Sequence, residues 1–284
     1  MPTVELSTQF DCFIFDCDGV LWHDEEVIEG AIDLVNRLSE KKVFFVTNAS
    51  KLSRKSVYEK FKRLGFSVDI DQVYPSGYFC ADYLKTVYPE ATGLYLIGGA
   101  GLAEELKCKG FNVHGINDSG DFSVDMFKES AEKDQIFDGV VVGFDSAFNY
   151  TKLCKASLAL QKNPKAFLCS TNEDAYLKVG DFAMPGNGSM TAIVKYCMQT
   201  ACTNKRDFIV TGKPHRNIVD FLLNKCGVSR DKCLMIGDRL DTDIQLAVNS
   251  SIKSCMVLTG CSKPSDIVAD APVPDYIVNS VADI

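Results

Sequence analysis

Short apolar runs alternate with amphipathic stretches at both ends of this chain, and that alternation restricts the fold more than any other feature. Phe10–Phe15 and Val43–Val46 read as strands, with a helix predicted over Ala31–Leu38 between them. A second helix over Arg54–Leu64 ends at Gly65, a residue type that often follows a helix C-terminus. The rhythm returns after residue 207. Strands are predicted at Phe208–Val210, Cys233–Ile236, Ser254–Leu258 and Tyr276–Val278, separated by helices over Ile218–Cys226 and Thr242–Val248. Strands that alternate with helices imply an α/β fold, here a Rossmann-like, doubly wound parallel sheet covered by helices.

The middle of the chain differs. Leu94–Ile97, Gly139–Val142 and Ala166–Cys169 are further strand candidates, but the loops are longer and rich in Gly, Asn and Asp, as in Asn117–Asp121. Gly-containing segments flank this region at Pro75–Gly77 and Pro185–Gly188. The reading is a core formed by residues 1–78 and 189–284, with an α/β insert over 79–188. The chain has 284 residues, enough for such a pair of units.

Charge and cysteine usage remove several function classes. A formal charge of -8 gives no basic surface for nucleic acid. The apolar runs fall well short of the roughly 20 residues needed to span a bilayer. Met1–Phe10 lacks a basic segment followed by an apolar stretch, so no secretory signal and a cytoplasmic location are expected. Twelve cysteines include no Cys-x-x-Cys pair and only three histidines accompany them, which argues against a zinc cluster. Several sit inside apolar runs and read as reduced, small hydrophobic residues.

Four strand ends carry the polar residues of interest. Asp16-Cys17-Asp18-Gly19 follows the first strand. Two carboxylates this close repel when ionised, and a divalent cation would relieve the repulsion; an Asx turn is the plainer alternative. Gly19 lets the backbone pass close to a ligand. Thr47-Asn48-Ala49-Ser50 follows the second strand and offers either a phosphate-binding turn or a helix N-cap by Asn48 or Ser50. Lys213, between Gly212 and Pro214, is either a solvated charge or the cation that neutralises a phosphoryl group. Gly237–Asp243 places Asp238 at a strand end, Asp241 where it can cap the next helix, and Asp243 near the first helical turn. Magnesium suits such an oxygen-rich cluster.

Taken in order, these motifs resemble those of the haloacid dehalogenase superfamily of phosphotransferases. More narrowly, Asp16–Leu21, Thr47–Ser50, Pro185–Met190, Gly212–Pro214 and Gly237–Asp243 resemble the phosphoglycolate phosphatase / 4-nitrophenylphosphatase family, which is related to pyridoxal phosphatase. The resemblance implies that Asp16 is a nucleophile that becomes an aspartyl phosphate and that Asp18 is a general acid/base. It implies Mg2+ held by the Asp16 carboxylate, the Asp18 carbonyl and Asp238, with Asp243 supporting this shell. Thr47, Asn48, Ala49, Gly19 and Lys213 fall on the positions that bind the substrate phosphoryl group, although many relatives carry asparagine where Ala49 stands. Asp18 also favours phosphoester over carbon–halogen hydrolysis, since members acting on halides lack the second aspartate.

The insert is expected to act as a cap that chooses the substrate through Thr171–Val179. Members directed at pyridoxal phosphate place a histidine there; Leu177 falls near that position, and no histidine occurs between His114 and His215. The expected partner is therefore a small phosphorylated metabolite such as 2-phosphoglycolate, and the resemblance implies a homodimer paired through the cap. Pyridoxal 5′-phosphate is the alternative substrate. A receiver-like signalling protein or a silent phosphate-binding protein is the reading from a different class. Gly98–Gly101 reads as a strand-to-helix turn, Cys17 as a thiol turned away from any metal, and Trp22 and His23 either as an entrance or as loop packing.

Overall fold

A computed structural model describes residues 6–180, 182–202 and 207–284. The chain divides into two units. One comprises residues 1–47, 55–75 and 213–284, and the other residues 48–54 and 76–212.

The first unit is built on a six-stranded sheet. Its order across the sheet is Tyr276–Val278, Lys253–Val257, Cys233–Gly237, Cys12–Phe15, Lys42–Thr47 and Val73–Pro75, and every neighbouring pair is parallel. The two central strands, Cys12–Phe15 and Cys233–Gly237, are buried along their whole length, as expected of parallel strands covered on both faces. Phe13, Phe15, Phe45 and Phe61 are fully buried beside Leu34 and Ile236. Each such side chain contributes about 1.5–3 kcal/mol relative to exposure. The first strand lies between Cys233–Gly237 and Lys42–Thr47, so successive connections leave it in opposite directions across the sheet. That is a topological switch point, where open α/β sheets bind ligands beyond the carboxyl ends of their strands.

Helices form where the patterning places them. Arg54–Arg63 is followed by Gly65 at φ +90°, and Asn217–Cys226 by Gly227 at φ +69°, both in the left-handed region that glycine enters without strain.

The second unit has its own parallel sheet, in the order Phe208–Val210, Phe167–Ser170, Gly139–Val142, Gly93–Ile97, Asn112–His114. One apolar cluster joins Leu94, Leu96, Val141 and Cys169 to Cys80, Leu84, Leu102 and Leu106. Another joins Val140, Val142 and Leu168 to Ala156, Leu160, Val194 and Met198. An antiparallel hairpin pairs Tyr176–Val179 with Phe182–Pro185.

One expectation about organisation is corrected here. Residues 189–212 do not belong with the first sheet. The Asn187–Ala201 helix buries Val194 and Met198 in the second unit's core, and Phe208–Val210 pairs in register with Leu168–Ser170. A three-residue apolar run carries no record of which sheet completes its hydrogen bonds, so periodicity alone assigned it to the wrong one. The first Gly-containing segment coincides with a boundary between the units, which falls between Pro75 and Ser76, whereas the second lies inside the second unit. Ser76–Val87 is already helical across Gly77. Gly186 and Gly188 pack against the 173–174 backbone, where added Cβ atoms would stand 2.3 Å and 2.5 Å from the carbonyl oxygens of Asp174 and Glu173.

All twelve cysteines are free thiols, six of them buried. Among the described residues no helix is long and apolar enough to cross a membrane.

Candidate active site

Strand register sets the heart of the site. Phe15 pairs with Ile236, and the Asp16 N–H donates to the Ile236 carbonyl at 2.9 Å. Asp16 and Asp238 therefore leave adjacent strands side by side. Asp243 joins them from the segment that follows. Leu240–Ile244 winds as a π-helix before Gln245–Ser250 continues as an α-helix, a distortion that often accompanies functional sites. The Asp243 carboxylate folds back to accept the N–H groups of Asp238 at 3.2 Å and Arg239 at 3.1 Å. Gly237 makes room for it: a Cβ there would lie 2.3 Å from the Asp243 carboxyl carbon. Asp241, expected to cap this helix, instead pairs at 2.7 Å with the side chain of Arg239, because its position on the turn faces outward.

Lys213 binds the cluster together. Its Nζ lies 2.7 Å from Asp16 Oδ1 and 2.7 Å from Asp243 Oδ1, and the side chain is only 2% exposed. The sequence reading delivered this lysine from a strand end of the same sheet. The Phe208–Val210 strand belongs to the other unit, and Lys213 enters from the loop before the Asn217–Cys226 helix, joined to Pro214 by a cis peptide.

One ammonium faces three buried carboxylates, and the titration behaviour follows. Burial raises the Asp16 carboxyl above its ordinary value, opposed by Lys213 and reinforced by Asp18. Burial, then the charges of Asp243 and Asp16, push Asp238 up to about 7. Burial likewise pushes Asp243 up to about 6, with Lys213 pulling the other way. For Lys213 itself burial favours the neutral form, but the two carboxylates outweigh it and hold the ammonium well above its usual range.

The same residues fit a hard cation. One oxygen each of Asp16, Asp238 and Asp243 lies within 4.8 Å of the others. Asp238 Oδ2 accepts the Cys261 N–H at 2.7 Å, whereas Asp238 Oδ1 is buried and accepts no hydrogen bond. An all-oxygen donor set with excess negative charge is what magnesium or calcium requires. The Asp18 side chain stands outside this trio. It is 64% exposed, accepts the Trp22 indole N–H at 2.9 Å, and lies 3.9 Å from Lys60.

Gly19 adopts φ +80° in the turn after the first strand, and its carbonyl accepts the Thr259 hydroxyl at 2.6 Å. Thr47 is buried at the end of its strand. Asn48 and Ala49 continue directly into the second unit. There the Asn48 amide donates to Asp174 Oδ1 at 2.7 Å, and its carbonyl accepts the Ser76 hydroxyl and the Asn172 amide at 2.8 Å each. Ser50 accepts the Phe144 N–H. Neither Asn48 nor Ser50 caps the helix, which begins only at Arg54. Leu177 is half-buried on the hairpin opposite Met184. Cys17 is fully buried in the apolar core, where burial and its two aspartate neighbours raise the thiol well above its ordinary value. Trp22 packs edge-on against Phe61 with ring centres 4.7 Å apart, so it is loop packing that also holds Asp18, while His23 is exposed. Gly99 precedes the Ala100–Cys108 helix as the expected turn.

The sequence reading missed the loop after Lys253–Val257. Cys261 binds Asp238, and Gly260 is pressed against the same carboxylate, where a Cβ would lie 1.9 Å from Asp238 Oδ2. The signal was available in Leu258-Thr259-Gly260, a fifth strand end closing on a hydroxyl and a glycine. Gly260→Ala is expected to displace Asp238 and lower turnover at least about tenfold, since small misplacements of catalytic groups carry large rate penalties. Its melting temperature should fall as well, because the added methyl overpacks a buried carboxylate, and steady-state kinetics run below both melting transitions checks this.

Three buried acids and a lysine thus gather at the switch point of a parallel sheet. Residues 13–112 match the haloacid dehalogenase-like hydrolase family, and residues 210–284 match its HAD-hydrolase-like counterpart. Phosphoglycolate phosphatase 2 of Arabidopsis thaliana is 39% identical over 96% of this chain and 92% of its own length. The crystal structure of 4-nitrophenylphosphatase from Thermotoga maritima superposes with a TM-score of 0.82 at 27% identity, covering 98% of this chain and 97% of that one. Glycerol phosphate phosphatase from Mycobacterium tuberculosis, solved in complex with magnesium, superposes with a TM-score of 0.79 at 26% identity, covering 98% and 77% respectively. The chain belongs to the haloacid dehalogenase-like hydrolase family, and within it to the phosphatases.

Proposed function

We propose that this enzyme is a magnesium-dependent phosphomonoesterase for small substrates of the 2-phosphoglycolate type, working through an aspartyl phosphate on Asp16. The observation that carries the reading is the buried Asp16 carboxylate, paired with Lys213 at 2.7 Å and set among two further acids. Asp16, Asp238 and the Asp18 carbonyl would hold the cation, with Asp243 fixing the arrangement. When bound, the cation supplies the positive charge that an anion attacking a phosphate dianion needs.

An Asp16 oxygen attacks phosphorus, and the bond from phosphorus to the ester oxygen breaks. Asp18, in its acid form, gives its proton to the leaving oxygen. Water then attacks the phosphoryl group, Asp18 takes the water's proton, and the phosphorus–Asp16 bond breaks to release phosphate. Lys213 offsets charge on the phosphoryl oxygens, and Thr47 with the Asn48–Ala49 segment holds them. The second unit acts as a cap, and Thr171–Val179 with Leu177 selects the leaving group. A leucine offers the pyridine ring of pyridoxal phosphate no hydrogen bond, which favours small acyclic substrates.

The test is phosphate release in magnesium from 2-phosphoglycolate, glycerol 3-phosphate and pyridoxal 5′-phosphate. The expected order places 2-phosphoglycolate first by at least about tenfold in kcat/KM, equivalent to about 1.4 kcal/mol of discrimination. A preference for pyridoxal 5′-phosphate would remove the argument from Leu177 and leave the chemistry at Asp16 in place.

A further inference from the structure

The second unit contains a cavity of about 180 Å³ that shares no residue with the acid cluster. It opens beside the edge strand Asn112–His114, where the Val124–Glu132 and Tyr150–Lys162 helices end. Its floor is aromatic. The Tyr95 and Phe137 rings meet edge-on at 5.6 Å, and His114 and Phe137 at 5.3 Å. Its rim carries Lys133, Lys155 and Lys162.

Asp118 is the one acid lining the cavity among the described residues. Both its oxygens are already engaged, Oδ1 by Lys155 at 2.7 Å and Oδ2 by the Tyr95 hydroxyl at 2.8 Å. It therefore neutralises Lys155 and leaves the other two ammonium groups uncompensated. Lys162 donates to the Lys133 carbonyl, which brings the two rim segments together, and Lys133 has no side-chain partner among the described residues. Glu132 and Asp134 flank Lys133 in the chain, but neither lines the cavity. Lysines near helix C-termini are also favoured by the helix dipole alone. The dipole does not account for a half-enclosed, aromatic-floored space beneath them.

We propose that this cavity binds a small polyanion, a compact molecule bearing two closely spaced phosphate or carboxylate groups. Lys133 and Lys162 would take the charges, and the aromatic floor would take the carbon or bridging atoms. Size supports a compact ligand, since the space is below the roughly 300–1,000 Å³ of pockets that hold drug-sized molecules. The proposal is independent of the chemistry at Asp16.

Calorimetric titration of inorganic pyrophosphate into the full chain tests it, in buffer freed of metal on an immobilised chelating resin so that turnover plays no part. Citrate titrated in parallel distinguishes phosphate from carboxylate as the recognised group. Saturable binding of at least one probe is expected, weakening as salt is raised. Lys133→Gln/Lys162→Gln should weaken it at least tenfold while the melting temperature and basal phosphatase activity stay unchanged. Asp16→Asn should leave it intact. Absence of saturable binding by both probes, binding that survives the double substitution, or binding lost on Asp16→Asn would each overturn the assignment.

Discussion

Asp16→Asn is expected to lower phosphate release from 2-phosphoglycolate by about 10⁴-fold or more, a loss of the size seen when a covalent nucleophile is removed. An amide keeps the shape of the carboxyl group and one oxygen to face Lys213, but it has no charged oxygen to form the acyl phosphate. The change also relieves the cluster of one of three buried negative charges, and Lys213 keeps its 2.7 Å contact with Asp243. The metal-free variant should therefore melt no lower than the metal-free parent. Lys213→Ala would be a poorer test, since stripping one partner from a buried ion pair costs about 3–5 kcal/mol and confounds activity with folding. A variant that melts normally and releases no phosphate supports Asp16 as the nucleophile. A folded Asp16→Asn enzyme retaining near-parental activity would move the chemistry to another group.

What the sequence revealed of this site and what it hid divide along a physical line. Asp16, Thr47, Asp238 and the strands that deliver them were readable because a buried parallel strand must be apolar and must end where the polar residues begin. Lys213 was found for a partly mistaken reason. Its residue type and setting between Gly212 and Pro214 are local, whereas the sheet that Phe208–Val210 completes is a long-range choice that three apolar residues do not encode. Asp243 was expected only near the first helical turn; the structure sets one of its oxygens within 4.8 Å of those of Asp16 and Asp238, because a π-helical turn brings it back over Gly237. No periodicity distinguishes that turn from an α-helix in advance. Asp18 is the converse case. Spacing placed it two residues after Asp16, whereas its carboxylate is exposed, accepts the Trp22 indole N–H and is not one of the buried trio. In the Thr259–Cys261 loop the hydroxyl and the glycine were legible at a fifth strand end, but the Cys261 N–H that binds Asp238 leaves no mark on residue type.

Chelation should abolish turnover, and readdition of magnesium should restore it, with an apparent metal affinity that falls steeply below neutral pH. The cause is competition between protons and the cation for the same oxygens. In the metal-free protein Asp238 titrates near 7 and Asp243 near 6, both raised chiefly by burial from an ordinary value of 3.8. Above pH 7 both are ionised and the cation displaces no proton from them. Between pH 7 and 6 binding must release about one proton, and below 6 nearly two, so affinity should drop up to about tenfold per proton for each pH unit. Stability should run in the opposite sense without metal. A carboxyl whose folded value is raised binds protons more tightly in the folded state, so its favourable contribution is complete below about pH 4 and is lost as pH rises through 6 to 7. The metal-free enzyme should accordingly melt higher at pH 5 than at pH 8, and the gain in melting temperature on adding magnesium should be largest at pH 8 and nearly absent at pH 5. Thermal melts across that range, with and without metal, read both slopes from one protein. A magnesium-induced gain that is flat with pH would mean that cation binding does not depend on the ionisation of Asp238 and Asp243.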